Sequence, residues 1–368
     1  MDKKFFLYEK RGGNLLTTAS CEFPLLEKWK SLCSKNLILE IFDAVLSGYA
    51  QIAFNDNSFS GLLVILATYY GSPVQATISL WTTLIATITA MLIGVNRGLI
   101  RCGLYGFSAA LTGLAIPLTI FPGCPINASM LLIAALAGVM NVLLTAALSE
   151  IFGKWNVSAL SLPYCFTLLI LIPGSLLFGN LSVTRSAPTL FALTREAGSW
   201  TFAEFMTASL NGLAQVLWVE KPLSGILYLA ALALASRIDV ITSLVGALVG
   251  TATAIGLGLP KDAILIGLYG YNAVLLMKVM TRGFKLSGRS LVLAICLAAL
   301  TVPVACGCKV ILAPLGMGTF AAFPYDIICI VVFIGRSKFA NLTYVPGKYW
   351  GVPETIQSLT AEELKDYQ

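Results

Sequence analysis

The chain contains no histidine, and only 11% of its 368 residues are charged. Without imidazole there is no His-based acid–base chemistry, no His-ligated metal and no proton relay of that kind. The absence also argues against an ammonia channel whose pore is lined by paired histidines. A soluble globular domain carries roughly 25% charged residues. With 57% hydrophobic residues, a soluble fold would expose large apolar patches, so the composition predicts an integral membrane protein. Also missing are a Gly-rich phosphate loop, a nucleophile elbow, a metal motif and paired catalytic carboxylates. No enzyme activity, cofactor or metal is expected. The nine cysteines lie mostly within or beside apolar segments. Cys306-Gly-Cys308 is the one close pair, and it lacks the partners a zinc site needs. The cysteines therefore read as small apolar side chains, with no disulfide framework. The net charge of +6 follows from Lys and Arg in loops and tails, as membrane orientation requires, and points to no nucleic acid.

What is present occurs twice. GLYGFSAAL, Gly103 to Leu111, recurs as GLYGYNAVL, Gly267 to Leu275. LSGYAQIAF, Leu46 to Phe54, recurs as LNGLAQVLW, Leu210 to Trp218, and SGLL at Ser60 recurs as SGIL at Ser224. Even Glu40 recurs, as Glu204. All share one offset of 164 residues (Gly103 to Gly267). A constant register that preserves Gln, Glu and Gly-Leu-Tyr-Gly means one duplicated unit.

Residues 1–35 lack the apolar core and cleavage site of a signal peptide and read as a cytoplasmic tail or surface helix. The first membrane repeat is assigned to 36–178, an external polar linker to 179–199, the second repeat to 200–336 and a cytoplasmic tail to 337–368. Each repeat holds six apolar segments. Four per repeat, among them 103–121 and 157–178 with their counterparts 263–281 and 318–335, are read as full crossings, which need about 20 residues. The other two are short or polar: 59–72 is brief, and 36–54 carries Glu40 and Asp43. Together they predict one crossing plus one re-entrant half-helix, because broken backbone at membrane depth survives only inside protein or beside a cavity. Five crossings per repeat is odd, so the second repeat enters from the opposite face. The fold class is therefore all-α integral membrane: two inverted-topology halves, ten transmembrane helices and two re-entrant half-helices. On this arrangement most Lys and Arg, including Lys278 and Arg282, fall on the cytoplasmic side. Charge alone favours it only slightly over six full crossings per half; the short segments decide.

Gln51 and Gln215 are the leading candidates for contact with a solute. Each follows a glycine and precedes an aromatic at i+3, Phe54 and Trp218. A primary amide offers two donors and an acceptor without charge. Phe107 with Leu111, and Tyr271 with Leu275, are spaced i, i+4 and share a helix face. Aromatic faces across a narrow gap would pass a planar solute and exclude a hydrated ion. Glu40 and Glu204 are read as interfacial, with proton carriage as the alternative. Asp326 has no acidic counterpart and is either pore-facing or a partner of Lys309.

At these residues the chain resembles the urea transporter family. The matching pieces are G-x-x-Q-x-x-aromatic followed by S-G (Gly48, Gln51, Phe54, Ser60, Gly61; Gly212, Gln215, Trp218, Ser224, Gly225) and G-L-Y-G-aromatic-x-x-x-L in both halves. The resemblance implies an inverted repeat of ten membrane helices with two tilted re-entrant helices. It implies a homotrimer in the cytoplasmic (inner or plasma) membrane, both termini cytoplasmic, with one passive pore per protomer. It places Gln51, Phe54, Phe107, Leu111, Gln215, Val216, Trp218, Tyr271 and Leu275 on a narrow slot lined by aromatics and oxygens. The family's threonine in each L-P-x-x-T-x-P-F-like stretch is here Ser161 in one half and Ala322 in the other, and Ser108 stands opposite Asn272. Ser161 keeps one hydroxyl of the central constriction. The implied solute is urea or a similar small neutral amide. A proton- or ion-coupled transporter using Glu40, Glu204 or Asp326, or a relative whose pore closed at Ala322, stand as alternatives.

Overall fold

The computed structural model describes residues 24–178, 199–317 and 319–364. Residues 1–23 of the N-terminal tail and nearly all of the expected linker at 179–199 lie outside them. Among the described residues every regular element is helical, apart from one isolated bridge between Phe284 and Tyr344. A short helix α1 (Pro24–Cys33) precedes the first series: α2 (Leu37–Ile52), α3 (Ser58–Gly71), α4 (Pro73–Leu92), α5 (Arg97–Arg101), α6 (Phe107–Thr119), α7 (Ala128–Gly153) and α8 (Leu162–Gly174). The second series follows the same order: α9 (Phe202–Ala214), α10 (Pro222–Ala233), α11 (Arg237–Gly256), α12 (Lys261–Leu265), α13 (Tyr271–Gly283), α14 (Gly288–Leu312) and α15 (Phe323–Ile334).

Local sequence sets the starts of these helices. Asn36, Asn57, Ser72, Asn96 and Asn127 accept backbone N–H groups at the starts of α2 to α5 and α7. Thr201, Ser236 and Ser287 do the same for α9, α11 and α14. Each such cap contributes about 1 kcal/mol.

Among the described residues α4, α7, α11 and the α14 stretch are long and apolar enough to cross a membrane. A fifth crossing arises if α9 and α10, bent by 67° at their break, count as one. The segments read as continuous crossings at 103–121, 157–178, 263–281 and 318–335 are shorter as helices. Their helical cores α6, α8, α13 and α15 have 12 or 13 residues. Thirteen residues span about 20 Å, short of the roughly 30 Å of hydrocarbon. Gly103 and Gly267, both at φ +83°, break the chain before α6 and α13. Leu160 (φ +50°) and Ala321 (φ +45°) break it before α8 and α15. The irregular backbone therefore lies inside the bundle.

Small residues let these helices approach closely. A Cβ on Gly61 would lie 1.9 Å from the Leu46 carbonyl oxygen, and one on Gly225 would lie 2.2 Å from that of Leu210. On α6, a Cβ on Gly113 would come within 2.7 Å of Thr82 Oγ1 on α4. At the repeat-equivalent positions the small residue has changed sides: Met277 stands for Gly113, and Gly246 for Thr82.

The two series also bond to each other reciprocally. Ser60 Oγ on α3 donates to Ala231 O at 2.8 Å, and Ser224 Oγ on α10 donates to Ala67 O at 2.8 Å. Mutual exchange of the same bond is the mark of a two-fold relation. The outward faces of α7 and α14 carry Leu132, Leu136, Leu143, Val292 and Leu300, as a lipid environment requires. This is a membrane protein.

Both ends of the described chain dock on the bundle. Trp29 Nε1 and Ser58 Oγ donate to the buried Asp43 carboxylate at 2.6 and 2.5 Å, and Lys30 lies 3.6 Å from it. The C-terminal segment folds back, its Val345, Ile356 and Leu364 forming a small apolar cluster. Its Glu354 carboxylate accepts the first N–H groups of α11, from Arg237 and Ile238, at 2.9 and 3.2 Å.

Candidate functional site

A cavity of about 610 Å³ lies between the two series. It is lined by Gln51, Phe54, Phe107, Leu111 and Ser161 from the first, and by Gln215, Val216, Trp218, Tyr271 and Leu275 from the second.

The glutamines are held alike. Gln51 Nε2 donates to Cys102 O at 2.8 Å, and Gln215 Nε2 donates to Ile266 O at 3.0 Å. Cys102 and Ile266 are themselves one repeat apart, each just after the short helix α5 or α12. A backbone carbonyl only accepts, so the amide nitrogen must face it. The side-chain oxygen is left free to accept from a solute; the second N–H of Gln215 faces Glu220 Oε1 at 3.4 Å, while that of Gln51 stays available. Each glutamine thereby presents an oriented acceptor. Gly103 and Gly267 permit this approach: a Cβ on Gly103 would lie 2.3 Å from Ser47 C, and one on Gly267 would lie 2.2 Å from Asn211 C.

The aromatics that follow are strained alike. Phe54 has φ +57° and Trp218 φ +59°, a left-handed conformation that costs a non-glycine residue roughly 1–2 kcal/mol. The kink ends the preceding helix and turns each ring onto the cavity. Trp218 meets Tyr164 edge to face at 6.4 Å.

Charged residues gather at the Phe54 end. Arg282 donates two bonds to Asp239, at 2.8 and 2.6 Å, and a third to Phe54 O at 3.0 Å. Lys278 Nζ donates to Ala53 O at 2.9 Å and to the Tyr228 hydroxyl at 3.0 Å. Tyr228 in turn donates to Ile52 O at 3.2 Å. Three successive carbonyls at the end of α2 are thus capped, where the helix dipole favours cations. The sequence reading counted Lys278 and Arg282 among the Lys and Arg of cytoplasmic segments; both side chains are buried inside the bundle, 0% and 1% exposed. Both follow Tyr271 on α13, and the packing of α13 against α11, α14 and α15 buries them.

The acids sort differently. Glu40 lies 3.5 Å from Arg97, and Glu204 lies 2.6 Å from Lys261. Those four positions form one more repeat-related pair, and none lines the cavity. Asp326 meets Ser161 and Cys165, not the Lys309 considered from the sequence.

The substituted positions also differ in consequence. Asn272 Nδ2 donates to Ala321 O at 3.3 Å, and its Oδ1 accepts Tyr325 N–H at 3.2 Å. Ser108, its counterpart, is too short to repeat those bonds. Its hydroxyl is buried with no hydrogen-bond partner among the described residues. Ala322 lines the cavity without a polar atom of its side chain. Lining residues not singled out from the sequence include Tyr164, Tyr325, Arg282 and Trp350. The Pro163-Tyr164 and Pro324-Tyr325 repeat was a usable signal for the two tyrosines. Nothing local marks Trp350, which arrives from the folded-back C-terminal segment.

The family model described as urea transporter matches residues 42–337. The chain is similar to urea transporter 1 of Rattus norvegicus, 25% identical over 249 residues, which covers 66% of this chain and 64% of that protein. It is also similar to urea transporter 1 of Ovis aries, 23% identical over 317 residues, covering 86% of this chain and 82% of that protein. The chain belongs to the urea transporter family.

Proposed function

We propose that this member of the urea transporter family conducts urea, or a similar small neutral amide, passively across the cytoplasmic membrane. The carrying observation is the pair of matched glutamines, each locked by a backbone carbonyl so that its oxygen is left for a solute in one shared cavity. Fixed acceptors replace water around the N–H groups of an amide. Walls of Phe54, Phe107, Trp218 and Tyr271 offer no replacement for the hydration shell of an ion. The name of the relatives supports urea as the solute.

In this reading the two halves thread the bilayer in opposite senses, as ten crossings and two re-entrant half-helices. Both termini are cytoplasmic, and three chains assemble with one conduit each. The reciprocal Ser60 and Ser224 bonds support the two-fold relation between halves. The pairing of Glu40 with Arg97 and of Glu204 with Lys261, away from the cavity, supports passive flow over proton coupling.

Purified protein in liposomes tests the proposal by stopped-flow light scattering. Urea flux well above that of empty liposomes is expected, equalising concentrations and unmoved by a pH gradient. Absence of flux for both urea and acetamide ends the reading. Accumulation driven by a pH gradient replaces it with coupled transport.

A further inference from the structure

Ser161 lies where the break before α8 faces the cavity, 2% exposed. Its hydroxyl has a fixed neighbourhood. Ser161 Oγ donates to Asp326 Oδ2 at 2.8 Å, and Ser161 N donates to Asp326 Oδ1 at 3.2 Å. Cys165 Sγ, one turn further along α8, approaches Asp326 Oδ2 at 3.5 Å. Every group turned towards this carboxylate is a donor, so the carboxylate accepts from all of them. On the other side, the Tyr325 hydroxyl donates to Ser161 Oγ at 2.9 Å.

A serine hydroxyl has one proton and two lone pairs. Here the proton goes to Asp326 and one lone pair to Tyr325. What remains for the cavity is a single lone pair, which takes an N–H and cannot give one. Asp326 is fully buried, is cut off from the cavity by Ser161, and stands at the position where the first half has Cys165. The counterpart of Ser161 in the second half, Ala322, has no hydroxyl to orient.

We propose that Asp326 is a positioning residue that sets solute specificity at the middle of the conduit: it fixes Ser161 as an obligate hydrogen-bond acceptor, so that a passing solute must present an N–H there. The inference rests on the conduit reading above and names a residue through which that conduit selects. It also explains why one hydroxyl suffices. A hydroxyl free to rotate would offer donor and acceptor equally to any polar solute, whereas a pinned one favours solutes rich in N–H.

A double-mutant cycle in liposomes tests it. Asp326→Asn places an NH₂ group beside Ser161 Oγ or Ser161 N, so the carboxylate's two accepted bonds cannot both survive. Ser161 is then free to turn its proton into the conduit. Asp326→Asn and Ser161→Ala are each expected to slow urea flux about three- to ten-fold, the worth of one neutral hydrogen bond. Because Asp326 acts through Ser161, the double variant is expected to be no slower than the slower single. A wild-type rate for Asp326→Asn, or losses that multiply in the double variant, overturns the inference while leaving the conduit standing. Wild-type protein without urea flux overturns the conduit, and this with it. Gel filtration and thermal midpoint accompany each variant. Should Asp326→Asn misfold, Asp326→Cys, which carries the residue of the other half, is read by the same cycle.

Discussion

Gln75 and Arg282 make equivalent pairs of bonds in the two series, although they do not occupy equivalent positions in the repeat. Gln75 Nε2 donates to Leu114 O at 2.9 Å and to Trp218 O at 3.0 Å. Arg282 donates to Lys278 O at 3.0 Å and to Phe54 O at 3.0 Å. Leu114 and Lys278 are one repeat apart, as are Trp218 and Phe54. The left-handed aromatic in each half leaves a carbonyl that must be capped. One half reaches it from α4 with a neutral amide. The other reaches it from α13 with a guanidinium, held by Asp239 at the position equivalent to Gln75. The backbone problem is duplicated while its solution has diverged, and one of the two caps is charged.

Removing half of that charged solution is expected to be costly. Arg282→Met strands Asp239 in the interior, and loss of one partner of a buried pair destabilises by about 3–5 kcal/mol. Arg282→Met with Asp239→Leu removes both charges and is expected to be more stable than Arg282→Met alone. Thermal unfolding in detergent reads the order; a double variant no better than the single contradicts the account.

Glycine at the first break is expected to matter for packing more than for conformation. Gly94 (φ +79°) and Gly103 (φ +83°) have similar backbones, yet a Cβ on Gly94 would meet nothing within 4 Å. Gly94→Ala is expected to cost only the left-handed penalty, about 1–2 kcal/mol. Gly103→Ala adds a collision with the backbone of Ser47 and is expected to abolish folded, monodisperse protein. Similar behaviour of the two variants in gel filtration and melting contradicts this reading.

The orphaned hydroxyl of Ser108 suggests a repair. Ser108→Asn copies Asn272 and should reach Leu160 O and Tyr164 N, the counterparts of its two partners. Each net hydrogen bond is worth about 1 kcal/mol, so a higher melting temperature than wild type is expected. A lower one means that the site lacks room for the amide.

The glutamines bear on both flux and stability. Gln51→Leu leaves Cys102 O uncapped and removes an acceptor from the cavity. It is expected to lower urea flux several-fold and stability by about 1–3 kcal/mol. Gln215→Leu, facing Ile266 O, is expected to match it because the two amides are held alike. Flux unchanged in both places neither glutamine on the solute path.

The cavity lining was legible where chemistry repeats. Gln51, Gln215 and the aromatic three residues after each stand out in the sequence because a polar amide in an apolar stretch cannot recur in register by accident. Arg282, Lys278 and Trp350 were not legible, for a different reason. A Lys or Arg after an apolar helix looks the same whether it ends in water or on a carbonyl; which it does depends on what packs above it. Within the apolar segments 103–121 and 157–178 the helices start only at Phe107 and Leu162. Hydropathy registers apolar length, whereas the helix is broken by one left-handed residue that hydropathy does not see.

Composition, periodicity and the 164-residue offset were enough to determine a helical membrane protein made of two copies of one unit, because lipid admits no unpaired backbone and a duplicated register survives in its polar punctuation. Only the tertiary structure decided which side chains meet across the copies: Asp326 on Ser161, Arg282 on Phe54, Ser60 on Ala231. Those contacts join residues more than 160 positions apart, and their partners are fixed by how closely the helices approach, which no local pattern records.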